Sequence, residues 1–141
     1  MLPNSLFIDT SGWASYLHAG DPFHDEAVRL YQTAYKSHAT LVTTDHVLAE
    51  LVALLSSSHY RMPRARVITI MTTILGDPGV MVEVTTWPQF LESWNLLARR
   101  PDKLWSLADA ISFQVMERRS ILDALTTDEH LEQANKVRLL K

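Results

Sequence analysis

Cysteine is absent from the 141 residues, which removes disulfides, thiolate nucleophiles and Cys-ligated zinc from consideration together. Long apolar runs are missing as well. The stretch from Val47 to Leu55 is interrupted by Glu50 and is far shorter than the roughly 20 residues a membrane helix needs, so no membrane span is expected. No basic region at the N-terminus leads into an apolar run and a small-residue cleavage site, and the expected location is cytoplasmic. Positive charge is not in excess: the formal net charge is −3, so nucleic acid would have to be held by local patches rather than by bulk attraction. Arg61, Arg64 and Arg66, then Arg99, Arg100 and Lys103, then Arg118 and Arg119 form such patches, although solvated helix surface and C-terminal capping account for each singly. The six histidines contain no paired HExxH-type zinc spacing. With 47% hydrophobic and 21% charged residues, the chain has the composition of one globular domain, 1–141, able to close its own core.

Short β-branched or apolar runs alternate with helical patterns. Leu6-Phe7-Ile8 reads as a strand buried on both faces and ending at Asp9. Helices are expected from Ser11 to Leu17 and, opened by Asp21-Pro22, to about Ser37. Thr40 to Thr43 is a second strand, and Asp45 is expected to cap a helix carrying Val47, Leu48, Leu51, Val52 and Leu55 at helical spacing. After a loop over 56–62, the pattern predicts a helix from Pro63 to Gly76, a strand over 80–84 and a helix from Trp87 to Arg99. Beyond the Pro101-Asp102 break come a helix from about Ser106, a strand around 124–126, a short helix opened by Asp128 and a last strand over 137–140. Such alternation favours a three-layer α/β/α sandwich around a mainly parallel sheet, whose ligands bind outside the carboxyl ends of the strands.

Four acids fall at that edge. Asp9 follows the first strand, Glu50 interrupts an otherwise apolar helix, Asp109 lies in Trp105-Ser106-Leu107-Ala108-Asp109, and Asp128 follows the fourth strand. Each has an ordinary alternative. Asp9 and Asp128 suit N-cap positions, Ser106 and Asp109 have capping-box spacing, and Glu50 could lie on a polar stripe with Asp45, Ala49 and Ala53. Glu50 is nevertheless expected to be partly buried, where an unpaired charge costs on the order of several kcal/mol and calls for a cation, a proton or a basic partner. Together the four suggest a hard-cation site, since clustered carboxylates repel one another and Mg²⁺ or Mn²⁺ with oxygen ligands relieves the repulsion.

In order, spacing and local context these segments resemble the PIN-domain family: Phe-Ile-Asp-Thr-Ser at Asp9, Val-Leu-Ala-Glu-Leu at Glu50, Trp-Ser-Leu-Ala-Asp at Asp109 and Leu-Thr-Thr-Asp-Glu-His-Leu at Asp128. The resemblance covers essentially the whole chain and is similar to free-standing VapC-type toxins of toxin–antitoxin pairs. Two departures are Ala108, where many relatives carry a hydroxyl, and Asn135-Lys136 in place of a Gly-aromatic pair, with Asn able to take the left-handed cap conformation. The resemblance implies a PIN-like fold and a metal-dependent endoribonuclease that hydrolyses RNA to a 5′-phosphate and a 3′-hydroxyl. It implies one or two Mg²⁺ or Mn²⁺ ions held by Asp9, Asp109 and Asp128, with Glu50 as ligand or as the group that orients the nucleophile. Ser11 and Ser106, and more weakly Thr10 and Asp102, are candidates to support the carboxylates or a phosphate. A small antitoxin that inserts a side chain among the acids is the implied partner.

Trp13, Trp87, Trp94 and Trp105 suit either base stacking or packing in a core or dimer. Apolar residues on the helices at 64–76 and 87–99 suggest a homodimer surface or a groove for an inhibitory peptide. Two other functions compete. A haloacid-dehalogenase-like phosphatase would use Asp9 as nucleophile but needs an acid two positions on, where Ser11 stands. A PIN-like interaction module without hydrolysis would have no need of all four acids.

Overall fold

A computed structural model describes residues 4–141. The chain folds as β1 (Ser5–Ile8), α1 (Thr10–Leu17), α2 (His24–Lys36), β2 (Thr40–Thr44), α3 (Asp45–Leu55), α4 (Arg64–Gly76), β3 (Val80–Glu83), α5 (Trp87–Arg99), α6 (Leu107–Arg118), β4 (Asp123–Leu125), α7 (Glu129–Gln133) and β5 (Val137–Arg138). The five strands form one parallel sheet in the order β3-β2-β1-β4-β5. This is the expected PIN-like α/β sandwich. Leu6, Phe7 and Ile8 of β1, with Leu41 and Val42 of β2, are almost completely buried, as central strands covered on both faces must be. Trp13 belongs to the same core. Its indole N–H donates to Thr43 Oγ1 at 3.1 Å, and that hydroxyl donates to the Ile8 carbonyl at 2.9 Å, so the ring is buried with its polar atom satisfied.

The sheet order places a topological switch between β1 and β4, because the chain builds outward through β2 and β3 before crossing to the other side. Ligands of open parallel sheets bind at the carboxyl ends beside such a switch. Gly12 lets α1 approach β4 there: a Cβ on Gly12 would stand 1.9 Å from the Leu125 carbonyl oxygen.

Several expected boundaries move. Asp21-Pro22 precedes α2 instead of opening it, because Asp21 Oδ1 accepts from the Phe23 N–H at 2.8 Å in an Asx-type turn. Thr44, and not Asp45, caps α3, accepting from the Val47 N–H at 3.0 Å. The last strand is confined to Val137 and Arg138. Asn135 does adopt the left-handed region, with φ 63°, and Lys136 N–H reaches back to the Leu131 carbonyl at 2.9 Å, closing α7 in Schellman fashion.

Candidate active site

Asp9 leaves β1 at its carboxyl end and is only 5% exposed. Thr126, the residue after β4, donates its hydroxyl to Asp9 Oδ2 at 2.9 Å and accepts from the Asp128 N–H at 3.0 Å. Because the Thr126 proton is committed to Asp9, Ser11 Oγ must donate in its 3.0 Å contact with Thr126 Oγ1, while accepting from the Thr127 N–H at 3.0 Å. One network of two hydroxyls thus binds the end of β1 to the turn that carries Asp128. Burial pushes the Asp9 carboxyl up to about 7, against the Thr10 N–H and Thr126 hydrogen bonds that favour its charge, and Asp109 and Asp128 add to the rise.

Asp109 and Ser106 form a complete capping box at the start of α6, with Ser106 N–H donating to Asp109 Oδ2 and Asp109 N–H donating to Ser106 Oγ, both at 3.0 Å. The capping and site readings therefore hold together, because the cap fixes the carboxylate in place. Asp128 is the N-cap of α7 and accepts from the His130 N–H at 2.9 Å. His130 Nδ1 lies 2.9 Å from Asp109 Oδ2 and 3.5 Å from Asp128 Oδ1. Asp109, Asp128 and His130 each bring a ligand atom within 4.8 Å of the others. Desolvation opposes the charged imidazole, but the Asp109 hydrogen bond and the Asp128 and Asp109 charges outweigh it and raise the His130 pKa.

Glu50 corrects the sequence reading in one respect: it is exposed, on the same stripe of α3 as Ala49 and Ala53. Its carboxyl nevertheless hangs over the cleft, where Thr10 Oγ1 donates to Oε1 at 3.0 Å. Loss of hydration raises its pKa against that hydrogen bond, and Asp109 and Asp128 raise it further. Asp102 stands apart from the other candidates. Its exposed carboxylate takes two 3.0 Å hydrogen bonds from the Arg100 guanidinium. His130 and Thr126, to which the sequence reading gave no role, also contact the acids. A histidine two residues after a strand-end acid was the available signal for the first.

The donor set fits a hard divalent cation: carboxylate oxygens with one imidazole. No ion pair among the described residues involves Asp9 or Glu50. The PIN domain matches residues 6–137. The chain belongs to the PIN-domain family. Among relatives, the 23S rRNA-specific endonuclease VapC20 of Mycobacterium tuberculosis, in strains CDC 1551 / Oshkosh and H37Rv, is 32% identical over 134 residues, covering 94% of this chain and 95% of the relative. A crystal structure of M. tuberculosis VapC20, described as a Sarcin-Ricin loop cleaving toxin, superposes with a TM-score of 0.85 at 31% identity over 97% of this chain and all of that one. Membership of the PIN family sets aside the haloacid-dehalogenase-like alternative, and nucleases of this family generally use divalent metal. No helix among the described residues is long and apolar enough to cross a membrane.

Proposed function

We propose that this protein is an endoribonuclease dependent on Mg²⁺ or Mn²⁺ and the toxin of a toxin–antitoxin pair. The observation that carries the reading is the meeting of Asp109, Asp128 and His130, whose ligand atoms lie within 4.8 Å of one another, near enough to Asp9 and Glu50 for the two aspartate charges to raise both of their pKa values. Asp9, Asp109 and Asp128 would hold one or two ions, with His130 as a further ligand or as the group that orients Asp109. When bound, such an ion lowers the pKa of water and offsets charge gathering at phosphorus and the leaving oxygen. Glu50, fixed through Oε1 by Thr10, presents its other oxygen to the attacking water and takes its proton. Attack at phosphorus breaks the P–O3′ bond, and the departing 3′-oxygen takes a proton from solvent water, leaving a 5′-phosphate and a 3′-hydroxyl. The Ser11–Thr126 hydroxyl pair keeps Asp9 aimed at the cleft while the ion is absent.

The antitoxin surface we assign is a groove of about 420 Å³ between α1, α2 and α4, lined by Tyr16, Tyr31, Tyr35, Ile70 and Ile74, which suits an amphipathic peptide. The surface we assign to self-association is α5, and the exposure of Leu91 and Trp94 supports it. Purified protein should cleave single-stranded RNA with Mn²⁺, lose that activity in EDTA, and lose at least about 100-fold in Asp109→Asn with the fold intact by circular dichroism. Cleavage persisting in EDTA or in Asp109→Asn would reject the reading. A folded wild-type protein inert toward RNA would favour the noncatalytic interaction module.

A further inference from the structure

The carboxyl edge of the sheet does not stop at the acids. On the far side of Glu50, β2 and β3 end side by side, with Thr44 paired to Glu83, and their connections are joined by Asp45. That carboxylate accepts from Thr85 Oγ1 at 2.7 Å and from the Thr85 N–H at 3.2 Å. The same carboxylate lies 3.1 Å from His46 Nδ1, which is also 3.1 Å from Thr85 Oγ1, so the imidazole is held in place. His46 is one helical turn before Glu50 on α3, about 6 Å along the axis, and is close enough to lower the proton affinity of the Glu50 carboxyl.

From His46 the aromatic surface runs outward. The Phe90 ring lies 6.1 Å from His46, and Trp87 stacks on Phe90 at 5.3 Å with 12° between the planes. Trp87 is 67% exposed and opens α5 directly behind its cap. Thr86 and Gln89 form a complete capping box, and Pro88 occupies the first turn of α5. An exposed indole stacked on Phe90, continuous with an imidazole one helical turn from Glu50, has the chemistry of a seat for unpaired bases, which offer a π-face whatever their identity.

We propose that His46, Phe90 and Trp87 form a stacking platform that receives unpaired bases of the RNA whose phosphodiester lies at the acid cluster. The proposal rests on the endoribonuclease reading and deepens it. The apolar stripe continues down α5 through Leu91 and Trp94, where a second copy is placed, so the platform is the part nearest the acids and not the whole stripe.

The test uses the full chain with Mn²⁺ and a single-stranded RNA oligonucleotide. Trp87→Ala should raise KM about tenfold with kcat unchanged, Trp87→Phe should restore most of the loss, and the sedimenting species should stay the same size. Binding is read apart from cleavage by quenching of tryptophan emission with a short oligouridylate in EDTA, expected in wild type and greatly diminished in Trp87→Ala. An unchanged KM, or a loss of activity that follows dissociation into smaller species, overturns the platform. A protein that cleaves RNA without such quenching overturns it while leaving the nuclease reading intact; quenching in a protein that never cleaves counts against the nuclease reading alone.

Discussion

Asp9 is buried near two other carboxylates, with hydroxyl and amide donors but no ion-pair partner among the described residues, and its ionisation therefore opposes folding. Its folded pKa, about 7, lies above the unfolded value. Stability from this group is thus fully present below the unfolded pKa and declines as pH rises toward 7, after which the loss levels off. In EDTA, thermal unfolding should show the melting temperature falling between about pH 4 and pH 7, and Asp9→Asn should flatten that slope and raise the melting temperature at pH 8. An unchanged slope in the variant would mean that Asp9 is not the group responsible. The same titration predicts that affinity for Mn²⁺ climbs toward neutral pH, because the ion and the Asp9 proton compete. Thr126 acts one bond further out. Thr126→Val removes the hydroxyl that donates to Asp9 and accepts from Asp128 N–H, and should cost about 10–100-fold in Mn²⁺ affinity or cleavage with a smaller effect on melting temperature.

At the scale of elements, the site depends on how closely helices and strand ends are brought together. Gly12→Ala would drive a methyl into the Leu125 carbonyl, forcing α1 away from β4 and separating Asp9 from Thr126. The variant should lose about 1–3 kcal/mol of stability in chemical denaturation, as overpacked cores do, and should lose cleavage in parallel. Ser106→Ala removes the hydroxyl that accepts from the Asp109 N–H, worth about 1 kcal/mol, but keeps the residue-106 N–H that donates to the Asp109 carboxylate, so stability should fall while cleavage per folded molecule stays close to wild type. The sequence made much of this visible. Strand ends at Asp9 and Asp128 follow from short apolar runs stopping at an acid, and the Ser106–Asp109 spacing announces its own capping box. What it could not show depends on contacts distant in the chain. Thr126 gains its role only when β4 pairs with β1, and His130 only when α7 folds back on the start of α6. Glu50 looked buried because eight of its neighbours are apolar; only the packing of α3 reveals that its stripe is open while its carboxyl is held by Thr10. Asp102 is held by Arg100, two residues away, through a geometry that spacing does not specify.

For the molecule as a whole, the proposed function draws on carboxylates from four separated segments at the carboxyl edge of a parallel sheet, where burial and mutual repulsion raise the pKa values of Asp9 and Glu50, and a bound cation would relieve that repulsion. Ligand that binds only the folded state stabilises it by mass action. Mn²⁺ at about a hundred times its dissociation constant should add about 2.7 kcal/mol and raise the melting temperature by roughly 10 °C. The most direct measurement is calorimetric titration of Mn²⁺ into wild-type protein, Asp9→Asn and Asp109→Asn at pH 8, each first shown to be folded. Saturable binding in wild type that is lost or weakened at least about tenfold in both variants is the predicted result; Mn²⁺ bound equally well by all three would contradict a shared metal site.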